Sequence, residues 1–393
     1  MKTHINLKSI RLKHLLLILC SIWFSSEFNK TFAQEIEIVN IRIGQGDATL
    51  IQGPIKGDGT RVNLLIDAGD ISSRDGGNII RAVLAKRKIK HLDFMIISHY
   101  DADHIGGVVS GKHHGVGFLL GFNGVPGSVG DDDDDGNVDW IGREFFQPDP
   151  EELGTNDDIT VGSFIDRGDD DPPTSQAYQK YLLMANAKNN RISLNTKQEM
   201  ENFEIDLGDG AKMIALASNG FVRGRTGRVQ EVDTENERSL SFLLNYKSFD
   251  FLISGDLIGR KHGGEDAKVE KAVGEYIKKQ NIIVDVLHVN HHGGNNGSEE
   301  SFLKDIKPIV AVISAGNENN FKHPHNGVLK RLDEALVYRI IQTSWGSTAA
   351  KMPKNVRAIQ AIYQSDIVIN SDGNDFTIST SRKFKTNHNP RRN

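Results

Sequence analysis

The ten residues SHYDADHIGG, 98–107, constrain this chain more than any other stretch. They place His99, Asp101, Asp103 and His104 within six positions, directly after the apolar run LDFMIIS (92–98). A short apolar run bounded by turn signals reads as a buried strand, so these side chains sit on the loop at a strand end. Extended residues two apart point the same way, which lets His99 and Asp101 face one site. Asp103 and His104 fall at a helix start, where neighbouring side chains diverge by about 100° and can address different ions. Gly106 and Gly107 let a second backbone segment approach closely. Two imidazoles and two carboxylates suit Zn or Mn, or Fe. A polar turn with N-capping aspartates would explain a lone Asp-x-Asp, but not this density of ligand types.

A two-ion site needs more than four ligands, and further candidates occupy equivalent places. Asp67 closes NLLIDAG, Asp256 closes FLISGD, and His291 follows VLHVN with His292 beside it. Each borders a turn after an apolar strand, where loops on a rigid sheet converge. EIEIVNIRIG, GQGDATLIQG and RVNLLIDAG read as strands and GGNIIRAVLAKRK (76–88) as a helix. AKMIALA (211–217), SLSFLLNY (239–246), FDFLISGD (249–256), NIIVDVLHV (281–289) and PIVAVISAG (308–316) read as strands again, and NGVLKRLDEALV (326–337) as a helix. Residues 108 to about 205 break this rhythm with glycines, DDDDDGNVDW and RGDDDPP, and are read as an insertion. Within it TSQAYQKYLLMANAK (174–188) has helical spacing. Its stripe of Tyr178, Tyr181, Leu182 and Ala185 is expected to pack on the parent domain rather than form a lid over substrate.

The N-terminus has a different character. Lys2, Lys8, Arg11 and Lys13 accompany LLLILCSIWF (15–24), which is too short to span a bilayer as a helix, and Ala33 offers a small residue for cleavage before Gln34. Residues 1–33 are read as a secretory signal peptide, 34–380 as the working domain and 381–393 as a basic polar tail. The mature chain is expected to be exported, periplasmic or secreted, without a membrane span. Cys20 is the single cysteine and would leave with the signal peptide, so no thiolate is available as a ligand. Ile18 and Leu19 before it are large where lipoprotein cleavage wants small residues. The formal charge is −5 and grows more acidic once the basic N-terminus is removed. That argues against a broad basic surface for nucleic acid, but not against a phosphate-bearing substrate held by metals.

Taken together, GQGDATLI, LLIDAG, SHYDADHIGG, NERSLSFLL, LISGD, HHGG and HPH resemble the metallo-β-lactamase superfamily, and within it the extracytoplasmic hydrolase domain of ComEC-type competence proteins. The similarity covers about residues 37–345, interrupted by the insertion. Superfamily members often carry His-x-His-x-Asp-His, and here Asp101 stands at the middle position. The resemblance implies an α/β fold, the metallo-β-lactamase-like αββα four-layer sandwich, with two divalent ions, Zn or Mn. It implies that His99 and Asp101 hold one ion, with His291 completing its shell, and that Asp103 and His104 hold the second. Asp256 would bridge them, Asp103 would count also among the catalytic residues, and Asp67 would orient ligands from behind. Asn236 and Ser239 stand where other members place a further histidine, and together with His292 would support the ligands or touch substrate. Gly294 stands where the branch often has Ser.

The resemblance also implies hydrolysis of a phosphodiester, DNA or a relative of it. Two ions about 4 Å apart can generate a hydroxide nucleophile and stabilise both oxygens of an in-line displacement. His323 and His325 would bind the phosphate or protonate the leaving oxygen, with His325 favoured as acid and His323 as clamp. The rival readings are a hydrolase of another ester, lactone or lactam, and a non-catalytic binding module that retains metal. The intact ligand set speaks against the second.

Two motifs carry less. Asp131, Asp133 and Asp135 open like a calcium loop, but Gly142 stands where its closing Glu belongs, so a solvated acidic loop is favoured over Ca. Arg223, Arg225 and Arg228 in RGRTGR either grip phosphates or line a solvent-facing hairpin. The oligomeric state is not encoded in any pattern found here.

Overall fold

Period-two alternation sends successive side chains of each strand into different layers, and two sheets result. The computed structural model describes residues 3–5, 35–70, 76–108, 159–186, 190–317, 319–347 and 358–380. The first sheet contains β1 (Thr3–Ile5), β2 (Ile36–Asn40), β3 (Thr49–Gln52), β4 (Asn63–Ile66), β5 (His91–Ile96), β6 (Thr160–Asp166), β7 (Arg191–Ser193), β17 (Ile367–Ser371) and β18 (Phe376–Thr380). Its order is β1-β18-β17-β2-β3-β4-β5-β6-β7, antiparallel as far as β4 and parallel from β4 to β7.

The second sheet contains β8 (Glu204–Gly208), β9 (Ala211–Ser218), β10 (Phe221–Val222), β11 (Ser241–Tyr246), β12 (Phe249–Ile253), β13 (Val286–His288), β14 (Val310–Ile313), β15 (Arg339–Gln342) and β16 (Ile359–Ile362). Its order is β10-β9-β11-β12-β13-β14-β15-β16, with β8 on β9 and all pairs from β12 to β16 parallel.

Three apolar layers separate the elements. Ile36, Ile38, Leu64 and Ile66 of the first sheet meet Phe242, Phe249, Phe251 and Ile253 of the second in the central layer. Val39 and Leu65, on the opposite face, pack with Ile80, Val83 and Leu84 of α1 (Gly76–Lys86) and with Tyr178, Tyr181 and Ala185 of α3 (Gln176–Asn186). The outer face of the second sheet is covered by α5 (Lys268–Lys279), α6 (Glu300–Ile306) and α7 (Asn326–Glu334). This is the αββα four-layer sandwich. Each fully buried Leu, Ile or Phe in these layers contributes about 1.5–3 kcal/mol. Two short helices complete the set, α2 (Ala102–Ile105) and α4 (Lys197–Asn202). Among the described residues no helix is long and apolar enough to cross a membrane.

The stretch read as an insertion is partly scaffold. β6 pairs parallel with β5, and β7 with β6, so Thr160–Asp166 and Arg191–Ser193 extend the first sheet. The glycines and aspartates around TVGSFID hid this strand, although Val161, Phe164 and Ile165 are buried in the core. The tyrosine stripe packs on the sheet and forms no lid: Tyr181 Oη donates to Asp166 Oδ2 at 2.7 Å and Tyr178 Oη to Asp169 Oδ1 at 2.7 Å. Most of the proposed signal peptide, the acidic loop with Asp131, Asp133 and Asp135, and the 381–393 tail lie outside the described residues. Thr3–Ile5 is described, and it pairs with β18 at the sheet edge.

Candidate metal centre

Loops after parallel strands deliver the polar residues, as open α/β sheets place ligand sites at strand carboxyl ends. Asp67 follows β4, His99 to His104 follow β5, Asp256 follows β12, His291 and His292 follow β13, and His323 and His325 follow β14. Backbone bonds knit two of these loops to the β2–β3 connection: Ala68 N–H donates to His104 O (2.7 Å), Gly69 N–H to Asp47 O (2.8 Å) and Asp47 N–H to Asp103 O (3.3 Å). The close approach explains two glycines. A Cβ at Gly107 would lie 2.2 Å from Ala68 O, and one at Gly46, whose φ is +107°, 2.2 Å from Asp103 O.

Asp256 is the hub of the cluster. Its Oδ1 lies 3.3 Å from His104 Nε2 and 3.4 Å from His292 Nε2, and its Oδ2 lies 3.7 Å from His291 Nε2. Asp103 approaches His292 Nε2 at 3.3 Å and His104 Nε2 at 3.9 Å. His99 Nε2 lies 3.5 Å from Asp101 Oδ2, and its ring centroid 4.1 Å from that of His104. Asp103, His104, Asp256 and His292 thus form one group; His99 with Asp101, beside His104, and His291, beside Asp256 Oδ2, lie on its flank, where the resemblance implies the ligands of a second ion. Asp101 holds the N-cap position of α2 yet makes no capping bond, so its carboxylate is left for the site.

The hydrogen-bond inventory tests whether this set fits cations. His99 Nε2, His104 Nε2, His292 Nε2 and Asp256 Oδ1 are buried and have no hydrogen-bond partner. Orphaned buried polar atoms are rare and cost about 1–3 kcal/mol each, so several that converge call for a shared partner. Asp47, His104, Asp256 and His292 each bring a donor atom within 4.8 Å of the others. Burial works against charge on His104 and His292, yet Asp256 lifts both well above the ordinary imidazole value. The same histidines hold Asp256 well below the carboxylate range against its own burial. Protons on the imidazoles therefore stand where divalent ions would neutralise the carboxylates, and the residues fit such ions.

Two carboxylates back the imidazoles. Asp67 Oδ2 accepts from His104 Nδ1 at 2.8 Å, and its two oxygens accept from Ser98 N (2.8 Å) and Ser98 Oγ (2.7 Å). This fixes the tautomer that turns Nε2 toward the cluster. Asp47 was not singled out from the sequence, although it ends GQGD at a strand boundary just as Asp67 ends its own run. It is 1% exposed, and its Oδ1 lies 3.4 Å from His292 Nδ1 and 3.6 Å from His288 Nε2. Neither Asp47 oxygen nor His292 Nδ1 completes a hydrogen bond, so Asp47 adds to the unpartnered donors beside His292, unlike Asp67, which is bonded to His104. Asp47→Asn is expected to weaken metal binding by roughly 10–100-fold, measured by competition with a chromogenic chelator. Unchanged affinity would remove Asp47 from the site.

The paired histidines differ from expectation. His292, expected as a supporting residue, is buried against Asp103 and Asp256. His291, preferred as the ligand, lies nearer the rim, with Nδ1 2.9 Å from Asn296 Oδ1 and Nε2 3.3 Å from Asn236 Nδ2. Both have φ of 53°, a left-handed backbone that L-residues adopt at a cost, and this twist turns the second imidazole inward. Ser239 is fully buried with its Oγ unpartnered.

Glu270 of α5 holds the strained loop: its Oε1 accepts from Asn290 Nδ2 (2.8 Å) and Ser298 N (2.6 Å), and its Oε2 from Glu299 N (3.0 Å). Burial pushes the Glu270 carboxyl up to about 7. A raised acid value stabilises the fold below the unfolded value and loses that contribution as pH rises toward 7. The magnitude is about 3 kcal/mol. Thermal melts at pH 5 and pH 8 are expected to differ less in Glu270→Gln than in the parent; an equal difference would contradict this.

His323 and His325 line the mouth. His323 stacks on His292 with centroids 5.9 Å apart and planes at 25°, and His325 meets His323 edge-on at 5.2 Å. Burial, and then His292, depress His323 to about 3, and burial also lowers His325. The arginine run does not face the site. Arg223 Nε donates to Ala215 O at 2.6 Å, Arg228 Nη1 to Asp170 Oδ2 at 2.7 Å, and Arg225 lies 3.8 Å from Glu275. These contacts correct the phosphate-gripping alternative: Arg228 secures the acidic 167–171 loop, and Arg223 the backbone of β9.

No family model matches the chain. It is 24% identical over 360 residues to ComE operon protein 3 of Bacillus subtilis (strain 168), covering 88% of this chain and 37% of that protein. The chain is ComEC-like. Shorter matches link this ComEC-like chain to Recombination protein 2 of Haemophilus influenzae (33% over 98 residues, 25% of this chain and 11% of that one) and to Competence protein ComA of Neisseria gonorrhoeae (37% over 81 residues, 21% and 10%). The chain therefore spans about a third of the first relative's length and about a tenth of the others'. A diphosphatase from the PhnP family and Tm1679, a metal-dependent hydrolase of the β-lactamase superfamily, align over 84% of this ComEC-like chain at 12% and 11% identity, each with a TM-score of 0.34, too low to bear on function.

Proposed function

We propose that the chain is a metal-dependent hydrolase of phosphodiesters, with DNA or a related polymer as substrate. The observation that carries this reading is the convergence of buried, unpartnered donors from His99, His104, Asp256 and His292 beside a mouth lined by His323 and His325. Divalent ions bound there would activate water and offset charge developing on a phosphate. The chain's own residues do the rest. Asp67 keeps the His104 tautomer fixed, and Asp47, Asp103 and Asp101 complete the anionic lining. His323, held neutral, donates an N–H to a phosphate oxygen, and His325, the more exposed of the pair, protonates the leaving oxygen.

The test is turnover by purified protein, with Mn or Zn and with chelator, on plasmid, linear DNA, methyl nitrophenyl phosphate, a nitrophenyl ester and nitrocefin. Metal-dependent cleavage of the diesters supports the reading. Cleavage confined to the ester or lactam would replace it, and metal uptake without any turnover would favour a binding module.

Export belongs to the same proposal. The run 15–24 and Ala33 support cleavage before Gln34, so protein recovered outside the cytoplasm is expected to begin near Gln34 on N-terminal sequencing. A chain retaining Met1 or lipidated on Cys20 would refute that.

A further inference from the structure

The rings at the mouth form a column that ends in solvent. Phe321 stacks on His323 with centroids 5.7 Å apart and planes at 25°, and His323 stacks in the same way on His292. The outermost ring, Phe321, is 61% exposed, although a phenyl group gains nothing from water. Trp345 is a second exposed aromatic, also at 61%, on the turn that packs against the same loop. Ser347 N–H donates to His323 O at 2.8 Å, and Trp345 N–H donates to Asn317 Oδ1 at 2.9 Å. Asn317 in turn accepts from Gln364 Nε2 at 3.1 Å, and Gln364 borders a cavity of about 300 Å³ that Arg42 and Lys86 line from two other elements. Asp366 is the acid in that lining, and its Oδ1 already accepts from Arg42 N at 3.0 Å. Arg42 Nε is buried without a hydrogen-bond partner.

We propose that Phe321 and Trp345 are a stacking subsite for unpaired nucleobases beside the scissile phosphate, and that Arg42 and Lys86 receive a phosphate further along the same strand. This rests on the phosphodiesterase reading and deepens it, because it selects single-stranded over duplex nucleic acid. Two exposed aromatics beside a candidate phosphate site, continued by two cations, match how single strands are held: bases on ring faces and backbone on positive charge. A duplex keeps its bases stacked on one another and cannot use the rings. The acidic chain as a whole does not repel such a strand at this point, because the two cations outnumber Asp366 there.

The test is fluorescence anisotropy of the metal-loaded protein with a labelled, phosphorothioate-linked oligothymidylate, which resists turnover, against a hairpin duplex. Trp345→Ala and Phe321→Ala are each expected to weaken single-strand binding by roughly 5- to 150-fold while changing duplex binding little. Trp345→Phe should keep most of the affinity, which a merely structural Trp would not predict. Arg42→Glu should lower the slope of log K against log salt by about 0.7 for the phosphate contact it loses. Alanine variants that bind single strands like the parent would overturn the subsite, as would equal losses on the duplex. Methyl nitrophenyl phosphate turnover by the parent separately tests the hydrolase reading: its absence with intact stacking losses would sink that reading and leave a single-strand binding surface.

Discussion

Asp256→Ala is expected to lose both ions and to lower turnover on any diester by roughly 10³-fold or more. The residue meets His104 and His292 through Oδ1 and His291 through Oδ2, so its removal takes a carboxylate from both groups at once. A bound divalent ion supplies several kcal/mol of charge stabilisation, and each 1.36 kcal/mol is a factor of ten in rate. Loss of a ligand from only one group would spare the other ion. Elemental analysis of the metal-loaded variant therefore separates a bridging carboxylate from a one-sided one: about two ions per chain in the parent, and well under one in Asp256→Ala. A variant that keeps one tightly bound ion would confine Asp256 to a single group, and one that keeps both would remove it from the centre.

His325→Ala is expected to retain its metal and to lower kcat by roughly 10²–10⁴-fold on substrates with poor leaving groups. With bis(nitrophenyl) phosphate, whose leaving group needs no proton, the loss should be small. The pH profile carries a second signature. Burial lowers the His325 imidazole below its usual value, and an acid works only while protonated. In the parent, kcat/KM for a poor leaving group should thus fall as pH rises through that lowered value, and the limb should disappear in the variant. His323, depressed to about 3, is neutral across the same range and supplies an N–H throughout. His323→Ala should therefore raise KM and lower kcat by similar factors for good and poor leaving groups. Equal penalties across leaving groups for His325→Ala would remove its acid role, and loss of metal in either variant would make that residue a ligand or a support.

Much of this architecture was legible. SHYDADHIGG was read as a ligand loop after a buried strand, and β5 does end at Ile96, just ahead of His99. Asp67 and Asp256 were found by the rule that strand ends converge, and both lie in the cluster. The same rule would have found Asp47, but its strand is separated from it by the turn around Ile43 and Gly46, so it looked like a turn acid. The order of His291 and His292 was not readable, because it depends on two consecutive left-handed residues that adjacent non-glycine positions do not advertise. RGRTGR left two readings open for a different reason. Arginines that hold an acidic loop and arginines that hold a phosphate have the same local sequence, and only the position of Asp170 distinguishes them. β6 and β7 were lost inside a glycine- and aspartate-rich stretch, where Gly162 and Ser163 break the apolar run that Val161, Phe164 and Ile165 would otherwise form.

The hub at Asp256 has a consequence for the life of the chain. Asp47, His99 and His104 come from the first sheet's half and Asp256, His292 and His323 from the second's, so any ion held between them rivets the halves together. A ligand that binds only the native state adds about 2.7 kcal/mol of stability at a hundredfold excess over its dissociation constant. Where ions are scarce, that added stability is lost, the two halves would part more often, and proteases would meet open chains. Steady-state abundance of this protein would then follow the metal supply of its compartment, quite apart from whether any substrate is present.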